Sequence, residues 1–319
     1  MLLDITVVFP YYNENKTIKT TLDLISRQSK MPREVIFVNS TSSDKTSETI
    51  DNWIRENQNN YQTKFLNIFE GSNTPSSSKN IGIKNCTSSW VAFMDCGLLF
   101  ELNWIESQWN YIQDKKVEIV SGQVYLEGIG SIDQAAVAQT YGYKKRMPCI
   151  PSTLVKKSIF EKTGMFIENR RAGYDIAWPL LLKKLGIKRS INPSVIVKYN
   201  GINIANKISF LLYKRINYTR ATVGLKYHFS PYYYLLILLL IFTFIGLFPT
   251  SIIQLLYVYI LSRGYLIPIK KSNGLEMFRD NPYLIIWLPI VGIALDFGGT
   301  IGFLLGFFKY HLNARYLNK

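Results

Sequence analysis

The sequence predicts an α/β fold, a doubly wound and mostly parallel sheet, followed by C-terminal membrane helices. Three observations carry this expectation. Short apolar runs alternate with amphipathic, helix-spaced segments through the first hundred residues. No charged residue occurs from Phe229 to Ser262. A second apolar stretch, Asn281 to Phe308, carries Asp296 as its one charge.

The elements follow in order. Ile5–Phe9 is a short apolar run ended by Pro10, as expected of a buried strand. Ile18, Leu22 and Ile25 then recur at helical spacing. Glu34–Val38 is a second strand, followed by a Ser/Thr-rich turn. Asp44 falls at or near the start of the next helix, whose inner face is Ile50, Trp53 and Ile54. Phe65–Phe69 is a third strand. Trp90–Met94 is a fourth and delivers Asp95 at its C-terminal end. Ligands of such sheets bind beyond the carboxyl ends of the strands, where Pro10, Asn39 and Asp95 all fall. Further on, Val117–Leu126 reads as a strand and Ser158–Gly164 as a short helix. Asp175–Leu185 reads as a helix with Trp178, Leu181, Leu182 and Leu185 on one face and Gly186 just past its end.

Composition narrows the class. A chain of 319 residues holds one good-sized domain and a smaller unit. The net charge of +15 suits an anionic membrane surface or phosphate-bearing ligands. No aromatic-basic recognition module argues for nucleic acid. The three cysteines, Cys86, Cys96 and Cys149, lack metal-type spacing and fit a reducing compartment. The N-terminus has no basic segment and no cleavage site of a signal peptide, so the first domain is expected in the cytoplasm. Residues 1–203 are expected as the α/β domain, 204–229 as a basic amphipathic segment at the bilayer surface, and 230–319 as the membrane region. An ordinary surface helix is the alternative for 204–229. Pro249-Thr250-Ser251 is the expected turn of a hairpin in the first apolar run, and two or three spans stay open.

Five motifs in order resemble the family 2 inverting glycosyltransferases with a GT-A fold. Pro10-Tyr11-Tyr12-Asn13-Glu14 is similar to that family's opening P-x-Y-N-E. Glu34–Thr46 is similar to E-I-I-V-V-D-D-G-S-T-D-G-T. Ser78-Lys79-Asn80-Ile81-Gly82 is similar to A-R-N-x-G. Trp90–Asp95 is similar to the strand leading into D-x-D. Gly164–Glu168 and Tyr174-Asp175 are similar to G-x-F-x-E followed by E-D. The resemblance covers the first hundred residues well and extends loosely to about residue 200.

It implies a membrane-anchored enzyme that moves a sugar from a nucleotide-sugar donor to a lipid-linked or growing glycan acceptor. Asp175 is implied as the base that takes the acceptor proton. Pro10, Tyr11, Asn13, Glu14, Asn39, Lys79, Asn80 and Asp95 are implied to line the donor pocket. Tyr11 either offers its ring to a nucleobase or simply packs at a strand end. The implied location is the inner cell membrane, multi-pass, with the catalytic domain cytoplasmic.

The departures from the pattern matter. Asn39 and Ser40 replace an acidic pair, Tyr174 replaces a Glu, and Asp95-Cys96-Gly97 lacks the second carboxylate of D-x-D. The stretch Val195–Asn200 lacks the family's His. Three readings stay open. Asp95 with donor phosphates and water holds Mg²⁺ or Mn²⁺; or fixed cations among Lys198, Lys79, Arg170 and Arg171 stabilise the departing diphosphate; or the chain is a catalytically silent nucleotide- or glycan-binding subunit. A channel or transporter part, resting on the intramembrane Asp296, is a further rival.

Overall fold

A computed structural model describes residues 2–69, 74–168, 170–200, 206–226, 228, 230–247, 252–272 and 274–312. The chain forms two compact units, one of residues 1–125 with 146–199, the other of 126–145 with 200–319. The chain crosses between the units three times, at 125/126, 145/146 and 199/200, where a single boundary at 203 was expected. Residues 126–145, which a linear reading leaves in the α/β domain, fold with the C-terminal half.

The first unit is built on one sheet. Its strands are β1 (Leu3–Tyr11), β2 (Pro32–Asn39), β3 (Lys64–Phe69), β4 (Trp90–Phe93), β5 (Ile119–Glu127), β6 (Arg146–Lys156) and β7 (Ser190–Asn200). They lie in the order β3-β2-β1-β4-β6-β5-β7. The first four run parallel to one another, whereas β6 pairs antiparallel with both β4 and β5. Helices α1 (Ile18–Ser26), α2 (Thr46–Asn57), α3 (Pro75–Asn85) and α4 (Trp104–Lys115) occupy the connections. The order reverses at β1, which leaves β1 and β4 diverging to opposite halves of the sheet.

Strand alternation divides the core in two. Ile5, Val7, Phe9 and Tyr11 share one face with Val35 and Phe37, while Val8, Ile36, Val38, Val91 and Phe93 share the other. Helix α3 lies close on the second face because residue 82 is glycine. A Cβ there would stand 2.3 Å from a Val8 methyl. Thr74 caps α3, its Oγ1 accepting from the Ser77 N–H at 3.3 Å, and Pro75 takes the first turn, where its missing N–H costs nothing.

The second unit contains α5 (Ser131–Thr140), α8 (Ile208–Thr222), α9 (Tyr233–Leu247), α10 (Ile252–Tyr259), a π-helical segment Ile260–Leu266 that joins it to α11 (Ile267–Ser272), α12 (Glu276–Asp280) and α13 (Leu284–Phe307). Two short helices of the first unit, α6 (Ile159–Thr163) and α7 (Tyr174–Lys184), complete the numbering. Helix α13 lets α8 approach through glycines four residues apart. A Cβ at Gly302 would meet the Ile216 carbonyl at 2.5 Å, and one at Gly306 the Arg220 carbonyl at 2.8 Å. Segment 204–229, expected as a basic interfacial helix, therefore packs one side of α8 against α13. Asp296 is not a lone charge. Arg263 donates to both its oxygens, at 2.8 and 3.1 Å, and Tyr259 donates at 2.8 Å. Gln139 of α5 accepts from Arg263 and donates to the Leu288 carbonyl at 2.8 Å. A buried pair satisfied in this way is a structural joint, which removes the ground for a channel reading.

The charge-free run from Phe229 to Ser262 holds α9 and the start of a helical stretch that continues from residue 252 to residue 272. Among the described residues, Leu284–Tyr310 is the one helix long and apolar enough to cross a membrane, and half of it is buried in the unit. The expected turn at Pro249-Thr250-Ser251 lies outside the described residues.

Candidate active site

The site is assembled at the carboxyl ends of β1, β2 and β4. Register brings these ends level: Tyr11 pairs with Asn39, and Val8 with Phe93. The Met94 N–H donates to the Val8 carbonyl at 3.2 Å, so Asp95 emerges at the rim just beyond.

Two loops are tied together there. Asn13 sits in the left-handed region, φ 55°, which an Asn tolerates better than most residues. Its Oδ1 accepts from the Ser43 N–H at 2.8 Å, and its own N–H donates to Ser42 Oγ at 3.0 Å. The Glu14 N–H donates to Thr46 Oγ1 at 2.9 Å, and the Asn15 N–H to Asp44 at 3.1 Å. Asp44 also accepts from the Thr46 N–H at 3.0 Å, which fits its expected place at the start of α2. Asn39 is buried, and its Oδ1 accepts from the Ser42 N–H at 2.7 Å. This oxygen is spent on the loop. The first two motifs thus shape one rim.

Tyr11 corrects one expectation. It is 2% exposed, and its hydroxyl donates to Asn67 at 2.8 Å inside the unit. Its ring has no face to offer a base; Tyr12 is the exposed aromatic. Pro10 is likewise buried within β1.

Lys79 joins the halves of the site. Its side chain is wholly covered, and its ammonium lies 2.5 Å from Asp95 Oδ1. Asp95 itself stays 35% exposed. The same ammonium stands 5.2 Å over the ring of Tyr174, the residue before Asp175. On the other side, Ser78 and Ser40 share a hydrogen bond of 2.7 Å. Asn39, Asp95 and Asp175, far apart in sequence, therefore belong to one connected rim.

Asn80 corrects a second expectation. Its amide is committed inside the protein: it donates to the Phe166 carbonyl at 2.9 Å and to Glu168 at 2.8 Å, and accepts from the Phe166 N–H at 3.0 Å. Phe166 in turn packs on Phe93, Phe160, Tyr174 and Trp178 at centroid distances of 5.4 to 5.6 Å. Asn80 is therefore an anchor for the segment that presents Asp175, and contact with a donor is left to its neighbours.

Helix α7 starts after Gly173, at φ 103°, and Asp175 is its second residue. Trp178 and Leu182 form its buried face, while Leu185 is 47% exposed and not on that face as expected. Asp175 is exposed to solvent, with protein packed around one side of its carboxyl. That crowding raises its carboxyl above the ordinary value; backbone N–H groups of Asp175 and Gly173 and the charge of Lys79 pull the other way, and Asp95 adds to the rise. Glu14 is also raised, by burial first, against a hydrogen bond from Thr17 and with the help of Asp95 and Asp44. A carboxyl raised in this manner beside an open rim is suited to taking a proton.

The other expected cations are Lys198, Arg170 and Arg171. Lys198 of β7 is exposed, and its backbone pairs with Leu99, four residues after Asp95. Arg171 is exposed and Arg170 half-buried, both just ahead of α7.

The protein supplies few ligands of its own for a divalent ion at this rim. Asp95 already carries a paired ammonium, and residue 97 is a glycine at φ 80°. Among the described residues no group of three or more His, Cys, Asp or Glu side chains could hold a metal.

Comparison with known proteins bears on the same residues. The model described as Glycosyl transferase family 2 matches residues 6–172, just over half of the chain. Glycosyltransferase GlyA of Streptococcus pneumoniae is 28% identical over 127 residues, 39% of this chain and 18% of that protein. Glycosyltransferase AglE of Haloferax volcanii is 23% identical over 185 residues, 54% of this chain and 59% of that protein. The chain thus spans less than two thirds of the length of these relatives. A mannosyltransferase from Pyrobaculum calidifontis, solved with GDP-Man and Mn²⁺, shares the fold with a TM-score of 0.57 at 16% identity, covering 94% of this chain and 87% of that one.

Proposed function

The chain belongs to glycosyl transferase family 2, and from that premise we propose that it transfers a sugar, with inversion, from a nucleotide-sugar donor to a lipid-linked or growing glycan acceptor. The observation that carries this reading is the Asp95–Lys79–Tyr174 contact, which links the donor end of the sheet to the crowded Asp175.

The chemistry follows from these groups. The acceptor oxygen attacks the anomeric carbon on the face opposite the diphosphate. Asp175 takes the hydroxyl proton as the new carbon–oxygen bond forms. The bond to the diphosphate breaks, and its electron pair leaves with the nucleoside diphosphate. The transition state carries oxocarbenium character. Glu14, Asn13 and the 39–46 loop form the rim against which the nucleoside rests, and Asp95 accepts from its ribose. The exposed Lys198 and Arg171 are the cations available to the departing diphosphate.

Membrane attachment is part of the proposal. Apolar side chains such as Leu236, Leu239 and Phe242 on α9, Ile253 and Tyr257 on α10, and Ile286 and Phe297 on α13 are more than half exposed. So large an apolar surface is costly in water and suits lipid. Tethering to a bilayer raises the effective concentration of an acceptor confined to it. The cytoplasmic face of the cell membrane is the proposed location, and the products are cell-surface polysaccharide or glycolipid.

The test is a binding screen of UDP-, GDP- and dTDP-sugars, followed by NMR of the product's anomeric configuration. One nucleotide class should bind, and the product should carry the anomeric configuration opposite to the donor's. Retained configuration would contradict the single-displacement chemistry. Flotation with anionic liposomes tests the membrane part; a chain left in the soluble fraction would contradict it.

A further inference from the structure

We propose that Lys79 is a built-in counter-ion for Asp95, a positioning residue that makes donor binding by this chain independent of divalent ions. The inference rests on the nucleotide-sugar reading above and deepens it. Three features of the site point the same way.

The first is the pair itself. The ammonium of Lys79 has no exposure to water and lies 2.5 Å from Asp95 Oδ1. A cation so placed cannot regain hydration by moving its tip, so its solvation comes from the carboxylate and from the Tyr174 ring 5.2 Å away. It is therefore fixed, with one Asp95 oxygen engaged and the other open to accept a hydroxyl. A divalent cation bound to the same carboxylate would face this ammonium at close range, in a setting that screens like charges poorly.

The second is the residue two places on. Gly97 carries no ligand, and its φ of 80° disfavours any side chain. A Cβ added there would meet Glu14 Oε2 and Thr17 Oγ1, each at 3.5 Å. The backbone at this point is shaped around Glu14 and Thr17, with the Gly97 N–H donating to Thr21 at 3.2 Å. A second carboxylate is thus absent by residue type, at a backbone conformation that favours glycine.

The third is how Lys79 is held. Its helix is seated on β1 through Gly82, and its neighbours Ser78 and Asn80 are locked to Ser40 and Phe166. The ammonium is consequently preorganised, which a mobile surface lysine is not. Lys79 acts through Asp95 and the donor does not reach it, so its effect should appear in the metal dependence of binding.

The experiment is calorimetric titration of UDP, GDP and dTDP into the full chain, in EDTA and again with Mn²⁺. The wild-type chain should bind its nucleotide with dissociation constants that agree within about threefold in the two conditions. Lys79→Met leaves Asp95 without its cation. It should lose about tenfold or more in EDTA and regain most of that with Mn²⁺, while Lys79→Arg should behave as wild type. A wild-type affinity that falls about tenfold or more on chelation would overturn the inference and leave the transferase reading standing. Loss in Lys79→Met that Mn²⁺ does not restore would mean a merely structural lysine and would overturn it as well. Should Lys79→Met not fold, the wild-type comparison decides alone. Binding of none of the three nucleotides in either condition would overturn the transferase reading and this inference together.

Discussion

Asn80 holds the backbone of Phe166 from both sides, donating to its carbonyl at 2.9 Å and accepting from its N–H at 3.0 Å. A side chain on the helix after β3 thereby fixes the segment that leads into α7 and Asp175. Replacing it by alanine strips two buried backbone groups of their partner, at a cost of about 1–3 kcal/mol in stability. Asn80→Ala should lower turnover by about a hundredfold through misplacement of the base while nucleotide affinity changes little. Calorimetry beside steady-state kinetics checks this. A loss of affinity matching the loss of turnover would return Asn80 to the donor pocket.

Tyr11 offers a complementary check. Its hydroxyl bonds Asn67 within the core, so Tyr11→Phe should cost about 0.5–1.5 kcal/mol in unfolding free energy. Nucleotide affinity should be unchanged. A marked fall in affinity with stability intact would show that the ring serves the base after all.

Gly82→Ala tests the seating of α3. The added methyl would stand 2.3 Å from Val8 Cγ1, so β1 and α3 must part. Overpacking of this kind costs about 1–3 kcal/mol, measured by denaturant unfolding. An unchanged midpoint would contradict the close approach on which the position of Lys79 depends.

The pH profile tests the environment of Asp175. Its carboxyl lies above the ordinary 3.8, first because of burial. The proton-accepting form is therefore present above the raised value and is lost as pH falls through it. The acid limb of kcat/KM should fall at a pH above 3.8. A limb at or below that value would mean that the carboxylate is not raised by its surroundings, or that another group is the base.

In the second unit, Asp296 and Arg263 are the pair to break. Asp296→Asn leaves the guanidinium buried without its counter-charge and should cost about 3–5 kcal/mol, whereas the double change Arg263→Met with Asp296→Leu should recover most of that. Unfolding followed near Trp287 reads the effect. Equal loss in single and double variants would mean that packing, and not charge, holds the joint.

The strands and the site were legible to different depths. Ile5–Phe9, Glu34–Val38, Phe65–Phe69 and Trp90–Met94 stand out because buried parallel strands are apolar throughout, and each is observed within a longer strand or, for the last, at β4 and the residue beyond. Strand β6 was not legible: Pro148 and Pro151 interrupt its pattern, and its partners β4 and β5 are supplied only by the fold. Asp95 is tied through Lys79 to Tyr174, the neighbour of Asp175. Tyr11 and Asn80 differ in how far their surroundings are legible. The alternation that buries Tyr11 was present in the sequence, whereas the partners of Asn80 lie 86 to 88 residues away and no local signal names them. The glycines of α13 that admit α8 are spaced four apart and could have been read as a packing stripe.

The central claim is that Asp175 takes the acceptor proton. The most direct measurement is release of nucleoside diphosphate from the donor by the wild-type chain and by Asp175→Asn, with nucleotide affinity determined in parallel. The account predicts that the variant binds nucleotide as wild type does and releases no diphosphate above background. Release at the wild-type rate would contradict it.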